Sequence, residues 1–437
     1  MRLIKRLLRF VFPKKKNREK TMITDFIDSV VIIDDNEKEI EELAKKLQEE
    51  DISVKMQMVN PQDKQFKDII PLKKYRQLIF MDLSLDDSID IKNNISTEIR
   101  PILSRILPKT KGCYGLVVWS KHTDDISILH DKLLEDKDKY CLPMFIVPFD
   151  KSNYLRNGYD NILDDLNGIL QKDKAAYFFV NWMSSVKSAS GKAISDIYSL
   201  VTDYDKQKTE LMYILYKMAL NHTGIPKDQV GEYDLTTDAY KAFDELLYSD
   251  LINQQNKTSV NIFDPIPQNP YTNQEDRKND IYSEINSKLF IDTININQNV
   301  VVPGNVYEII DSDIIKPELP TNVSAVKYIA IELTPPCDFS QKKKINSRII
   351  KGLLCDIQYK EKFKKEYYYK EMFPLVIDNK TNLQLVFDFR YLEVIEDSKL
   401  QDAKQYKALF RVSPKLFADI LQKFSSSYAR LGLSKIE

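Results

Sequence analysis

The sequence predicts an α/β protein: a doubly wound parallel sheet of five strands, then a helical segment, then a β-rich α+β domain. Three observations carry this. Short apolar runs rich in β-branched residues alternate with amphipathic helical patterns through residues 25–172, and that alternation builds a parallel sheet covered on both faces. Helical periodicity alone fills 173–255. From 256 onward, strand-like runs dominate up to a last amphipathic helix. The expected organisation is a basic leader at 1–24, the parallel domain at 25–172, a helical connector at 173–255 and the β-rich domain at 256–437.

Composition narrows the function classes. A chain of 437 residues is too long for one hydrophobic core, so two or three domains are expected. It is 43% apolar and 30% charged, as in ordinary globular proteins. Lys+Arg 64 against Asp+Glu 65 leaves a net charge of −1, so no nucleic-acid partner is expected. The cysteines Cys113, Cys141, Cys337 and Cys355 form no CxxC pair, which leaves no zinc ribbon or disulfide framework. The histidines His122, His130 and His222 form no HxxxH. There is no GxGxxG and no GxxxxGK[ST]; Ser188 to Lys192 lacks the first glycine of a P-loop. A Rossmann dehydrogenase and a nucleotide-driven motor are thereby set aside.

Element by element, Leu3, Ile4, Leu7, Leu8 and Val11 share one helical face of residues 1–12, opposite Arg2, Lys5, Arg6 and Arg9. That pattern suits peripheral contact with an anionic membrane surface, or docking on protein. The chain has no run of about 18 apolar residues, and a cytoplasmic protein is expected. Ser29 to Asp34 is the first strand, and a helix from about Asn36 buries Ile40, Leu43 and Leu47. Ile52 to Met58 and Gln77 to Asp82 are the next strands, and Ile91 to Leu107 is helical. Gly115 to Ser120 is the fourth strand, followed by a helix through Ile126, Leu129, Leu133 and Leu134. Pro143 to Phe149 is the fifth, with Asp150-Lys151 in the loop after it, and Asn161 to Leu170 is a closing helix.

Ligands of such sheets sit beyond the carboxyl ends of the strands, and those ends carry the candidate residues. Strand one ends in Asp34-Asp35, strand three in Asp82 and strand four in Ser120-Lys121. Three converging carboxylates make a hard oxygen site suited to Mg²⁺. A hydroxyl and an ammonium beside them suit a phosphoryl group, and an aspartate can itself accept that group as an acyl phosphate.

This arrangement resembles the receiver domain of two-component response regulators over residues 27–172, about a third of the chain. The resemblance implies a flavodoxin-like fold. It implies metal ligation by Asp34, Asp35 and Asp82, phosphoryl acceptance on Asp82 and phosphate contacts from Ser120 and a lysine after strand five. That family's lysine stands directly before a proline, whereas here Val147 precedes Pro148. Lys151 is the substitute and Lys121 the alternative. The partner implied is a histidine kinase or phosphotransfer protein. No independent enzyme activity is expected, with output through protein interaction or phosphate interception. Two other readings are a non-phosphorylated adaptor with a degenerate receiver and a Mg²⁺-dependent phosphotransferase or nuclease; Ser84 spoils a DxD for the latter.

In the connector, Ala175 to Ser190, Ala193 to Leu200, Leu211 to Leu220 and Thr237 to Leu251 read as helices, with Thr237 as an N-cap. No basic recognition helix is present, and a homodimer contact fits this segment. Asn256 to Asp280 reads as a polar linker. Strand patterns follow at 299–309, 325–333, 348–357, 383–396 and 406–412, and Ser413-Pro414 opens the final helix. The string from Glu332 to Lys344, ELTPPCDFSQKKK, reads as a buried cysteine with a solvated lysine run, or as an anion-binding loop. This Pro-Cys-Asp loop resembles one in uncharacterised bacterial proteins that pair a divergent receiver with a β-rich tail and occur in phage-defence loci.

Overall fold

The computed structural model describes residues 26–63, 65–83, 85, 91–108, 112–121, 126–223, 235–255, 262–293, 296–340, 343–364 and 368–429. The leader, Ser84, Asp86, Asp87, His122, Lys342 and the Cys337 side chain lie outside the described residues. The chain divides into two compact units: residues up to Tyr204 with Asp244–Asp264, and Asp205–Phe243 with Pro265 onward.

The first unit holds five parallel strands: β1 Ser29–Asp34, β2 Ser53–Met58, β3 Leu78–Met81, β4 Gly115–Ser120 and β5 Ile146–Asp150. Their order is β2-β1-β3-β4-β5, which is the flavodoxin-like order. Alternation along the strands feeds two cores. Val30, Ile32, Leu78, Phe80, Val117 and Trp119 join one; Val31, Ile33, Ile79, Met81, Leu116 and Val118 join the other. Helices cover both faces, so the inner strands are apolar throughout.

α1 Glu37–Glu49 buries Ile40, Leu43, Ala44 and Leu47. Helical segment α2 spans 91–106: α-helix Ile91–Asn94, a π-helical turn Ile95–Ile99 and α-helix Arg100–Ile106. α3 is Ile126–Glu135. β5 differs from expectation: it starts at Ile146 and runs through Pro148 to Asp150. It is the edge strand, where a residue without an N–H is tolerated. The expected loop after it is a helix, α4 Lys151–Asn157, whose N-cap Asp150 accepts from the Ser152 N–H at 2.8 Å. α5 is Ile162–Leu170.

α6 runs unbroken over Lys174–Tyr198, joining two segments that Gly191 separates in the sequence pattern. Asp173 caps it through the Ala175 and Ala176 N–H groups. α7 is Gln207–Thr223 and α8 Thr236–Gln255. Thr237 is therefore inside α8 and does not cap it.

The second unit is built on an eight-stranded antiparallel sheet. Its strands are β6 Ile291–Asp292, β7 Asn305–Ile309, β8 Ala325–Glu332, β9 Ser347–Asp356, β10 Tyr369–Glu371, β11 Leu375–Ile377, β12 Lys380–Ile395 and β13 Tyr406–Val412. The order is β10-β12-β9-β8-β7-β13-β6, with β11 paired to β12. The expected linker ends early, because α9 occupies Glu275–Phe290. That helix buries only Ser283 fully and docks by hydrogen bonds. Asn286 Nδ2 donates to the Pro374 carbonyl at 3.0 Å, and the Val376 N–H donates to Ser287 Oγ at 2.7 Å. Apolar periodicity cannot reveal such a helix. Short helices α10 Pro336–Ser340 and α11 Asp397–Gln401 precede α12 Pro414–Tyr428, which buries Leu416, Phe417 and Ile420.

The Lys344 ammonium corrects the solvated lysine run. It lies 2.9 Å from Asp397 and 3.7 Å from the buried Glu332, with its side chain largely buried. Among the described residues no helix is long and apolar enough to cross a membrane.

Two glycines give opposite expectations. A Cβ on Gly352 would stand 2.2 Å from the Val386 carbonyl oxygen, inside the β9–β12 ladder. Gly352→Ala is expected to lower unfolding free energy by about 1–3 kcal/mol in chemical denaturation. Gly191, in α6, has nothing within 4 Å of that position, so Gly191→Ala is expected to raise it by about 0.4–1 kcal/mol.

Candidate functional site

The site is a consequence of register. Ile33 of β1 is level with Met81 of β3, so the next residues, Asp34 and Asp82, leave adjacent strands side by side. In parallel strands, residues at equal height point to the same face. Here that face carries Ile32, Phe80 and Trp119, with α1 and α4 above it. Backbone bonds fix both exits: the Asp82 N–H donates to the Ile33 carbonyl at 3.1 Å, and the Val59 N–H to the Asp34 carbonyl at 2.9 Å.

Lys151 completes the centre. Asp150 ends β5 and caps α4 in one step, so Lys151 is the first helical residue and enters at the sheet edge. Its Nζ lies 2.7 Å from Asp34 Oδ2, 2.8 Å from Asp82 Oδ2 and 2.7 Å from Glu39 Oε2. Asp34 is fully buried, Asp82 is 4% exposed and Lys151 1%. Asp34 Oδ1 accepts from the Asn36 N–H at 2.9 Å. Burial pushes the Asp34 carboxyl up to about 6 against the lowering pull of Lys151. Burial alone would lower the Lys151 ammonium, but Asp82 and Asp34 outweigh it and hold the pKa above the ordinary lysine value.

Aromatic packing holds these groups in place. Tyr154, on α4, lies 5.3 Å from the Trp119 ring and 5.4 Å from Phe149 between centroids. Its hydroxyl donates to Asp165 at 2.8 Å. The Tyr159 hydroxyl donates to the Glu39 backbone carbonyl at 3.1 Å.

Asp34, Asp35 and Asp82 each offer a carboxylate oxygen, all within 4.8 Å of one another. This cluster can accept a metal ion. All the ligand atoms are hard oxygens, the donors that small divalent cations take. The donor set therefore fits the ion expected from the sequence.

Asp34, Asp82 and Lys151 thus meet directly, and Asp35 stands beside them half-buried. Ser120 closes β4, fully buried, opposite Asp150. Lys121 lies elsewhere, 3.3 Å from Glu39 Oε1. Glu39 is the residue that sequence reasoning missed. An acid in the first turn of α1 reads as an ordinary favourable partner of the helix dipole, which hides its contact with a lysine 112 positions away.

The first unit is thus an α/β domain of flavodoxin-like order with an acidic cluster and a buried lysine at its strand ends. No known family matches the chain and no curated protein matches it. Solved structures do. One is a yeast Spc42 trimeric coiled coil, amino acids 181-211, in a fusion; it is 13% identical and covers 33% of this chain and 82% of that one. Its TM-score is 0.18, so that likeness carries no argument.

Removing the ammonium leaves buried carboxylates uncompensated. Lys151→Met is expected to cost about 3–5 kcal/mol of unfolding free energy. Millimolar Mg²⁺ is expected to raise the melting temperature of this variant more than that of wild type, as differential scanning calorimetry would show.

Proposed function

We propose that the first unit is a phosphoryl-accepting signalling domain of the receiver kind, with Asp82 as acceptor. The observation that carries this is the Lys151 ammonium bridging Asp34 and Asp82 at the carboxyl end of a parallel sheet. A buried cation against the acceptor carboxylate serves two needs. It offsets the charge of the acceptor carboxylate, and it stands ready to bind a phosphoryl oxygen once Asp82 carries one.

In the proposed reaction an Asp82 oxygen attacks phosphorus in line with the bond to the donor. With a phosphohistidine donor, the P–N bond breaks and its electron pair leaves with the imidazole. The new P–O bond makes an acyl phosphate on Asp82. Mg²⁺ held by Asp34, Asp35 and Asp82 would neutralise charge on the transferring oxygens. Lys151 and Ser120 would hold the phosphoryl group by charge and by hydroxyl donation. The partner is then a histidine kinase or phosphotransfer protein. A cytoplasmic location goes with this reading, since Cys113, Cys141 and Cys355 are free thiols.

The test is intact mass after incubation with Mg²⁺ and acetyl phosphate. Wild type is expected to gain about 80 Da, one HPO₃ on a carboxylate, and Asp82→Asn to gain nothing. Equal labelling of both would move the acceptor away from Asp82. Absence of labelling from acetyl phosphate and from a phosphohistidine protein would leave the non-phosphorylated adaptor as the reading.

A further inference from the structure

Lys151 is crowded by carboxylates. An ammonium has three N–H donors, and three carboxylates from three elements lie at 2.7–2.8 Å from its nitrogen: Asp34, Asp82 and Glu39. A phosphoryl oxygen arriving on Asp82 competes with these contacts for the Lys151 ammonium.

The three are not equally able to yield. Asp34 has a fully buried side chain and is fixed at a strand end, with its second oxygen on the Asn36 N–H. Asp82 is the acceptor itself, with a side chain 6% exposed. Glu39 has a longer side chain, 19% exposed, on the first turn of a helix. Its other oxygen already faces a second cation, Lys121 Nζ, at 3.3 Å. Lys121 is itself 39% exposed at the rim. Release of Glu39 therefore costs the least desolvation, and its contact with Lys121 is already made. Burial would raise the Glu39 carboxyl, but the hydrogen bonds from Lys151 and Lys121 hold it below its ordinary value, as expected for an acid shared between two cations.

We infer that Glu39 is a positioning residue that restrains Lys151 in the resting site, and that phosphoryl binding on Asp82 hands Glu39 from Lys151 to Lys121. The inference rests on the phosphoacceptor reading of Asp82. It assigns the two lysines different tasks: Lys151 holds the acceptor and then its phosphoryl group, and Lys121 receives the displaced carboxylate. Glu39 thereby sets how readily the site accepts a phosphoryl group, without touching the donor.

The experiment is the rate of phosphoryl uptake from acetyl phosphate with Mg²⁺, by intact mass. The proteins are wild type, Glu39→Gln, Lys121→Gln, the double variant and Asp82→Asn. Melting temperatures are recorded beside them. Glu39→Gln is expected to take up phosphate faster by on the order of fivefold, the size of one part-buried charge contact. Lys121→Gln is expected to be slower than wild type by a similar factor. In the Glu39→Gln background, Lys121→Gln is expected to change the rate by less than about twofold, because its effect passes through Glu39. A residue needed only for structure would slow uptake on removal in either case. Equal or slower uptake by Glu39→Gln, with Asp82→Asn blank, overturns the assignment and leaves the acceptor reading standing. Equal slowing by Lys121→Gln in both backgrounds also overturns it, since Lys121 would then act only by attracting the donor. Failure of wild type to be labelled by acetyl phosphate and by a phosphohistidine protein overturns both.

Discussion

One buried ammonium organises the first unit. A parallel sheet gathers the carboxyl ends of its strands at one edge, and this sequence places aspartates at two neighbouring ends in equal register. Two carboxylates brought so close and out of water repel each other, and each loses hydration. Lys151 is what makes the pair tolerable, and its delivery depends on local chemistry at the far side of the sheet. Asp150 must stop β5 and start α4 without an intervening residue. Tyr154 must then pin that helix against Trp119 and Phe149. The centre is thus assembled from β1, β3, α1 and the β5–α4 junction, and none of these has the arrangement by itself.

The second unit handles charge in another way. Glu332 is fully buried at the end of β8 and accepts from the Thr334 hydroxyl and, at 3.1 Å, from the Thr334 N–H. Lys344 stands between it and Asp397, which also accepts from Ser347 Oγ at 2.6 Å. Here the polar groups fasten the segment after β8 back onto the sheet, across the Pro-Pro-Cys-Asp stretch. In the first unit three carboxylate oxygens, from Asp34, Asp35 and Asp82, lie within 4.8 Å of one another. That clustering makes the first site a candidate for a metal ion, whereas the second reads as a fastening.

The path of β5 sets the position of Lys151. A lysine three residues past Pro148 looks misplaced if β5 stops at the proline. The strand continues instead, because it is the edge strand and Pro148 needs no outward hydrogen bond. Strand end and lysine therefore move together, and the ammonium reaches Asp34 and Asp82.

The sequence by itself determined the strands of the first unit, the helices α1, α3 and α5, and the strand-end aspartates Asp34, Asp35 and Asp82. These features are written in local pattern: buried β-branched runs, a 3.6-residue apolar period, and carboxylates where an apolar run stops. It also determined the last helix, since Ser413-Pro414 is a local start signal and Ser413 Oγ does accept from the Leu416 N–H. It did not reveal α9, whose packing is by hydrogen bonds, nor α4, which is too short for a period. The contacts of Lys151 with Asp34 and Asp82, and the place of Glu39 between Lys151 and Lys121, were decided only by tertiary structure. Those contacts join residues from separate strands and helices, and their energies depend on burial that exists only once the sheet and its covering helices have closed.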